Sequence, residues 1–295
     1  MALALLAILI VLVLGLLAPE LARLRQFLWL RAWIGWLEAR VGGASPWTHA
    51  LGLALVLLPL AGLVVLVDWT LGDRLHGLLR FVFALTVLYL CWGPRDLDDD
   101  ALSAARAESP EDRAEALRSL GGTPGDAAVK SAGLVDQVFA AGLARWFGPI
   151  FWFVAFGPAG ALAYRLTQLL AQSPELRVVL PQAQVAAADR LHTALAWLPA
   201  QLMTLALALA SDFDAVGKAW REHHQAHGQG LLYLDLGFLS ATARACVDLD
   251  DEEFVGSDGQ PIRDEAVEEA RRLLWRVLVV WLAMLSVIVL AGWAA

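Results

Sequence analysis

The chain has 295 residues, 59% of them hydrophobic and 18% charged, with 13 tryptophans. Soluble domains are less apolar and richer in charge than this, so the balance excludes an ordinary water-soluble globule and points to an integral membrane protein. A net charge of -8 excludes a nucleic-acid surface, which needs clustered Lys and Arg, and two cysteines, Cys91 and Cys246, make neither a disulfide framework nor a zinc set; no metal, cofactor or nucleic-acid partner is expected.

The first apolar run, MALALLAILIVLVLGLL, lacks a positively charged start and a small-x-small cleavage site, and Arg23, Arg25, Arg31 and Arg40 follow it. It reads as an uncleaved first span rather than a signal peptide. A span takes roughly 20 apolar residues, and the candidates are 2–18, 49–67, 75–92, 148–170, 191–210 and 274–294. Between the first two, residues 20–40 place Trp29, Trp33 and Trp36 on one helical stripe, with Arg31 and Glu38 elsewhere on the wheel. That pattern predicts an interfacial helix carrying an aromatic belt, the alternative being a stripe that stacks on a ligand.

Just past the third span lies Arg95-Asp96-Leu97-Asp98-Asp99-Asp100. Its carboxylates read either as a solvated helix start, with Asp96 as cap, or as ligands for a magnesium ion. Ser109-Pro110-Glu111-Asp112 and Thr123-Pro124-Gly125-Asp126 each combine a capping hydroxyl, a proline at the first helical position and an acid at the third, with Gly121-Gly122 between them. Ser211-Asp212-Phe213-Asp214 repeats the pattern without the proline, and an acidic loop runs from Asp248 to Gly259. His223 and His227 stand four apart on one helix face; a helix end is expected there rather than a metal pair, because no third ligand accompanies them.

The fourth and fifth spans carry the polar residues. Gly157-Pro158 interrupts the fourth, and Tyr164, Arg165, Thr167, Gln168 and Gln172 follow. An ionisable group in a span costs roughly 2.5–3.5 kcal/mol at mid-membrane and faces a cavity or a partner, and a broken helix survives at membrane depth only where protein or water satisfies the freed groups. The expectation is a polar pocket between these spans; the alternative is that Arg165 snorkels to the interface. At the entry to the fifth span, Asp189, Arg190 and His192 are acid–base candidates or a polar cap.

The predicted fold is all-α: a polytopic helical membrane bundle of four to six spans, one or two of them broken or re-entrant, forming a single membrane domain over 1–295. Within it, 93–147 and 212–273 are helical cytoplasmic segments. Lys and Arg concentrate in 23–40, 95–145 and 218–276, whereas the other flanks hold only Arg74, Arg177 and Arg190. The positive-inside rule then places both termini outside. No Walker loop, nucleophile elbow or dinucleotide fingerprint is present.

Two stretches, "GPIFWFVAFGPAGALAYRL" from Gly148 and "RLHTALAWLPAQL" from Arg190, resemble the membrane superfamily that joins the cobinamide-phosphate synthases (CobD/CbiB) and the AmpE proteins. With "GPRDLDDD" from Gly93, the chain looks most like AmpE. The synthase pattern has a polar signature close to E-N-x-x-D-G before the P-[LI]-F-[YW] step, where this chain reads Ala140-Ala141-Gly142-Leu143-Ala144-Arg145. It next has Y-R-[AV]-x-N-T-L-D, of which Tyr164-Arg165 remain while Thr167-Gln168-Leu169-Leu170 differ. Of its D-D-V-L-N-[WY]-[IL]-P-A-R run, Trp197 and Pro199 remain.

The resemblance therefore implies a non-catalytic regulatory or sensory protein of the bacterial inner membrane, tied to cell-wall recycling and β-lactamase induction. Its partners would be the lipid bilayer and a cell-wall-derived ligand or a cytoplasmic protein. The alternatives are a corrinoid-pathway enzyme, which would need nucleotide-dependent carboxyl activation and metal-held phosphates, and a small-solute transporter. The ligand-binding candidates are Tyr164, Arg165, Gln168, Asp189, His192 and Trp197, with Arg95 and Asp99.

Overall fold

The computed structural model describes residues 2–17, 25, 27–43, 45–71, 77–93, 97–107, 109–122, 130–226, 234–249 and 264–292. All regular structure among them is helical: α1 (Ala2–Leu17), α2 (Trp29–Val41), α3 (Ser45–Thr48), α4 (Leu51–Thr70), α5 (Leu78–Cys91), α6 (Leu97–Ala105), α7 (Pro110–Leu120), α8 (Ser131–Gly142), a π-helical turn (Leu143–Phe147), α9 (Gly148–Gln172), α10 (Pro174–Val179), α11 (Gln182–Ala210), α12 (Phe213–Ala226), α13 (Gly237–Arg244) and α14 (Glu265–Leu290). Four helical stretches are long and apolar enough to cross a bilayer: Leu51–Thr70, Ser131–Gln172, Gln182–Ala210 and Glu265–Leu290, while Ala2–Gly15 and Leu78–Cys91 are shorter apolar helices. The protein is a polytopic helical membrane protein. Exposed Leu58, Leu63 and Leu66 on α4 and Val279 and Val287 on α14 give those spans the apolar outer faces that lipid requires.

The described residues form two compact units: Met1–Pro94 with Gly148–Ala196 and Ala291–Ala295, and Arg95–Phe147 with Trp197–Leu290. In the first unit, α2 turns Leu30, Ile34 and Leu37 inward, one residue per helical turn, onto a core that includes Val56 of α4 and Leu166 and Leu170 of α9. The opposite face leaves Trp29 and Trp36 nearly half exposed. Trp33 donates its Nε1–H to the carbonyl of Val56 at 3.2 Å and stacks on Trp36, over which Arg40 also lies. This is the amphipathic, aromatic-faced helix that the tryptophan spacing predicts. Arg25, buried, donates to the carbonyl of Gly93 and sits 4.2 Å from the centre of the Tyr89 ring.

Helix α9 breaks where Gly-Pro predicts. Phe156 leaves helical geometry and Gly157 adopts φ 67°, ψ -155°, a conformation that only glycine takes without strain, so Pro158 restarts the helix in a new direction. At its start, Gly148 lies against the aromatic ring of Tyr164, where any side chain would collide.

In the second unit, α8 and α14 carry the core through Leu134, Val138, Phe139, Val267, Leu274 and Val277. The Ser109 cap is present: its hydroxyl accepts from the Asp112 N–H at 3.0 Å, Pro110 follows, and Gly121 closes α7 with φ 96°. At α12 the capping acceptor is Asp212, bonded by the N–H groups of Asp214 and Ala215, while Ser211 donates back to Leu207. Thr123-Pro124-Gly125-Asp126 lies outside the described residues, as does the acidic loop beyond Leu249. Asp264 opens α14 as a hub: it accepts from the Val267 N–H and the Ser131 hydroxyl, pairs with Arg113 at 3.0 Å, and donates its own N–H to the carbonyl of Ala105.

Candidate functional site

The polar residues of the broken fourth span face inward. Arg165 is 2% exposed, Tyr164 1% and Gln168 7%, so the snorkelling alternative fails: the guanidinium stays within the unit. Arg165, Gln168 and Gln172 are spaced i, i+3 and i+7, which puts them on one face of α9. Arg165 Nη1 donates to Gln168 Oε1 at 2.5 Å, Gln168 Nε2 donates to Gln172 Oε1 at 3.0 Å, and Gln172 Nε2 lies 3.1 Å from His192 Nε2 on α11. The line runs from a buried cation to Gln172, which is exposed. Tyr164 completes the group, its ring 5.6 Å from that of His192, and Trp152 of α9 ties to α11 through the carbonyl of Leu195 at 3.0 Å.

Asp189, three residues before His192, is held by Arg177 of α10, which engages both carboxylate oxygens and also the carbonyl of Ala171. Both side chains of this pair remain substantially exposed, so it orients the end of α11 more than it stabilises the fold. Trp197 falls in the second unit and is half-buried; Arg95 lies outside the described residues. Gln172, named with the polar residues of the fourth span but not among the binding candidates, joins the cluster, as does Arg177, which reads in the sequence only as a flanking charge; the i+7 spacing from Arg165 is the signal that marks Gln172.

The acidic run opens a helix, as one of its two readings has it, but two of its three described carboxylates are paired rather than solvated. Asp98 accepts from Arg271 and from the Trp275 indole, both at 2.7 Å, and Asp100 is a buried partner of Arg145 at 2.7 Å. Of the three described carboxylates Asp99 alone is exposed; it belongs to the second unit, and Asp96 lies outside the described residues. Arg145, which stands where the synthase signature has its glycine, also donates to the carbonyl of Ser119. Among the described residues no three His, Cys, Asp or Glu converge as a metal set. His223, whose neighbour His227 lies outside the described residues, instead donates Nε2–H to Asp235 at 2.8 Å. Burial pushes the Asp235 carboxyl up, but that hydrogen bond and the backbone N–H groups of Gly237 and Leu236 outweigh it and hold the carboxyl below its ordinary value. The Cys246 thiol is pushed up by burial, so it is a poor nucleophile at neutral pH.

The chain is 27% identical over 276 residues to the cobalamin biosynthesis protein CobD of Stutzerimonas stutzeri (strain A1501), an alignment covering 88% of this chain and 84% of that protein. No family model matches, and no solved structure matches. This likeness supports the corrinoid branch of the resemblance and not the regulatory one.

Proposed function

We propose that the chain is a CobD-like membrane protein of the corrinoid pathway, in a bacterial cytoplasmic membrane, and that the α9–α11 polar line is where it holds an anionic group of its substrate. The likeness to CobD over most of both chains carries this reading. The line adds physical support: a buried guanidinium in line with two amides and an imidazole supplies donors to an oxyanion in a low-dielectric setting, where charge-assisted hydrogen bonds are strongest. The β-lactamase reading has no comparable support.

Joining an amine to a corrinoid carboxyl draws on carboxyl activation by a nucleotide whose phosphates are metal-held. The described carboxylates do not fit such an ion: Asp98 and Asp100 are each engaged by an arginine, and Asp99 stands apart from them on the surface. No step is therefore derived through a metal, and the part assigned to these residues is binding and orienting the anionic end of the substrate.

The test is complementation. A strain lacking its cobinamide-phosphate synthase, supplied with cobyric acid and this chain, is expected to grow where growth depends on cobalamin, and the Arg165→Ala variant is expected to fail at equal membrane abundance. No growth with well-expressed wild-type chain overturns the reading.

A further inference from the structure

The hydrogen bonds from Arg165 to His192 have a direction. A guanidinium has N–H donors and no acceptor, so the atom 2.5 Å from Arg165 Nη1 must be the amide oxygen of Gln168. That orientation turns the Gln168 Nε2–H group toward Gln172, which must offer its own oxygen. Gln172 is then left with its NH2 facing His192 Nε2, and a donor there requires a ring nitrogen without a proton. The proton of the neutral imidazole is consequently on Nδ1. His192 is 7% exposed, and Nδ1 is buried without a hydrogen-bond partner among the described residues. Asp189, the carboxylate one turn before His192 on α11, is already bidentate to Arg177.

We propose that Arg165, through Gln168 and Gln172, fixes His192 as the neutral Nδ1–H tautomer, and that this buried N–H is the donor for an oxyanion, a phosphate or carboxylate, drawn in by the guanidinium. Arg165 acts here as a positioning residue, and Gln168 and Gln172 are its relay. The proposal rests on the α9–α11 line being the substrate site named above, yet its readout is independent of the pathway: growth by complementation and the state of the imidazole are measured separately.

The experiment is 15N NMR of histidine-labelled full-length protein in nonionic maltoside micelles, with His192 assigned by its loss in His192→Asn. Wild-type protein is expected to show a protonated Nδ1 and an unprotonated Nε2. Gln172→Glu, at an exposed position, keeps an acceptor for Gln168 but presents only oxygens to the ring, so the proton is expected to appear on Nε2. Arg165→Leu frees the amides to flip, and a mixture of tautomers is expected. A wild-type Nε2–H tautomer, or no change in Gln172→Glu, overturns the relay. Inorganic phosphate added to the micelles is expected to shift the Nδ1 resonance; a shift with phosphatidylglycerol and not with phosphate would assign the oxyanion to a lipid headgroup, and no shift with either overturns the ligand half of the proposal.

Discussion

Arg145 shows how a single residue can decide between chemistry and structure. It sits in a π-helical turn, in the place of the glycine that ends the synthase signature, and its side chain is spent on Asp100 and the carbonyl of Ser119 rather than on a substrate. Both members of the pair are nearly completely buried. Breaking such a pair from one side leaves an uncompensated charge and costs about 3–5 kcal/mol, whereas replacing both with apolar residues of similar volume is often neutral or better. Arg145→Ala is therefore expected to lower the thermal unfolding midpoint in detergent sharply, and Arg145→Met with Asp100→Leu to recover most of the loss; equal damage from the single and double variants would assign the pair a role beyond packing. The same pair explains why the acidic run misled at the level of sequence. Its partners, Arg145 and Arg271, lie 45 and 173 residues away, and no local pattern announces such distant contacts. Arg165, by contrast, was legible, because a cation inside an apolar run has few places to go.

At the level of elements, apolar length and punctuation carried well. The Gly-Pro break, the Ser109 cap and the amphipathic α2 all follow from local chemistry that operates within one or two turns. The π-helical turn did not, since Leu-Ala-Arg-Trp-Phe differs from its helical neighbours only in the carbonyl each N–H selects. The junction of α12 and α13 rests on a titratable contact, His223 with Asp235. Asp235 has its folded pKa held below its ordinary value of 3.8. Its contribution is thus complete above the unfolded value and disappears as pH falls through the lower folded one. Amide exchange across Gly237–Arg244 is expected to stay slow down to that acid range and then quicken, and Asp235→Asn is expected to remove the step. A step that survives in the variant would place the titrating group elsewhere.

For the whole molecule, the arginine distribution predicts a topology that the helices can be made to report. Glu175 on α10 belongs to a segment expected outside, and Glu111 on α7 to one expected inside; both are exposed. A membrane-impermeant maleimide is expected to label Glu175→Cys in intact spheroplasts and Glu111→Cys only after lysis, in a background with Cys91 and Cys246 replaced; the reverse pattern would invert the orientation. The Asp264 hub has a consequence at this scale too. Because three bonds lock the first turn of α14 to α6, α7 and α8, the register of that span is set from Asp264 onward. A helix held from three sides at its first turn cannot rotate about its own axis, so the face that its apolar stretch offers to lipid is settled before that stretch begins.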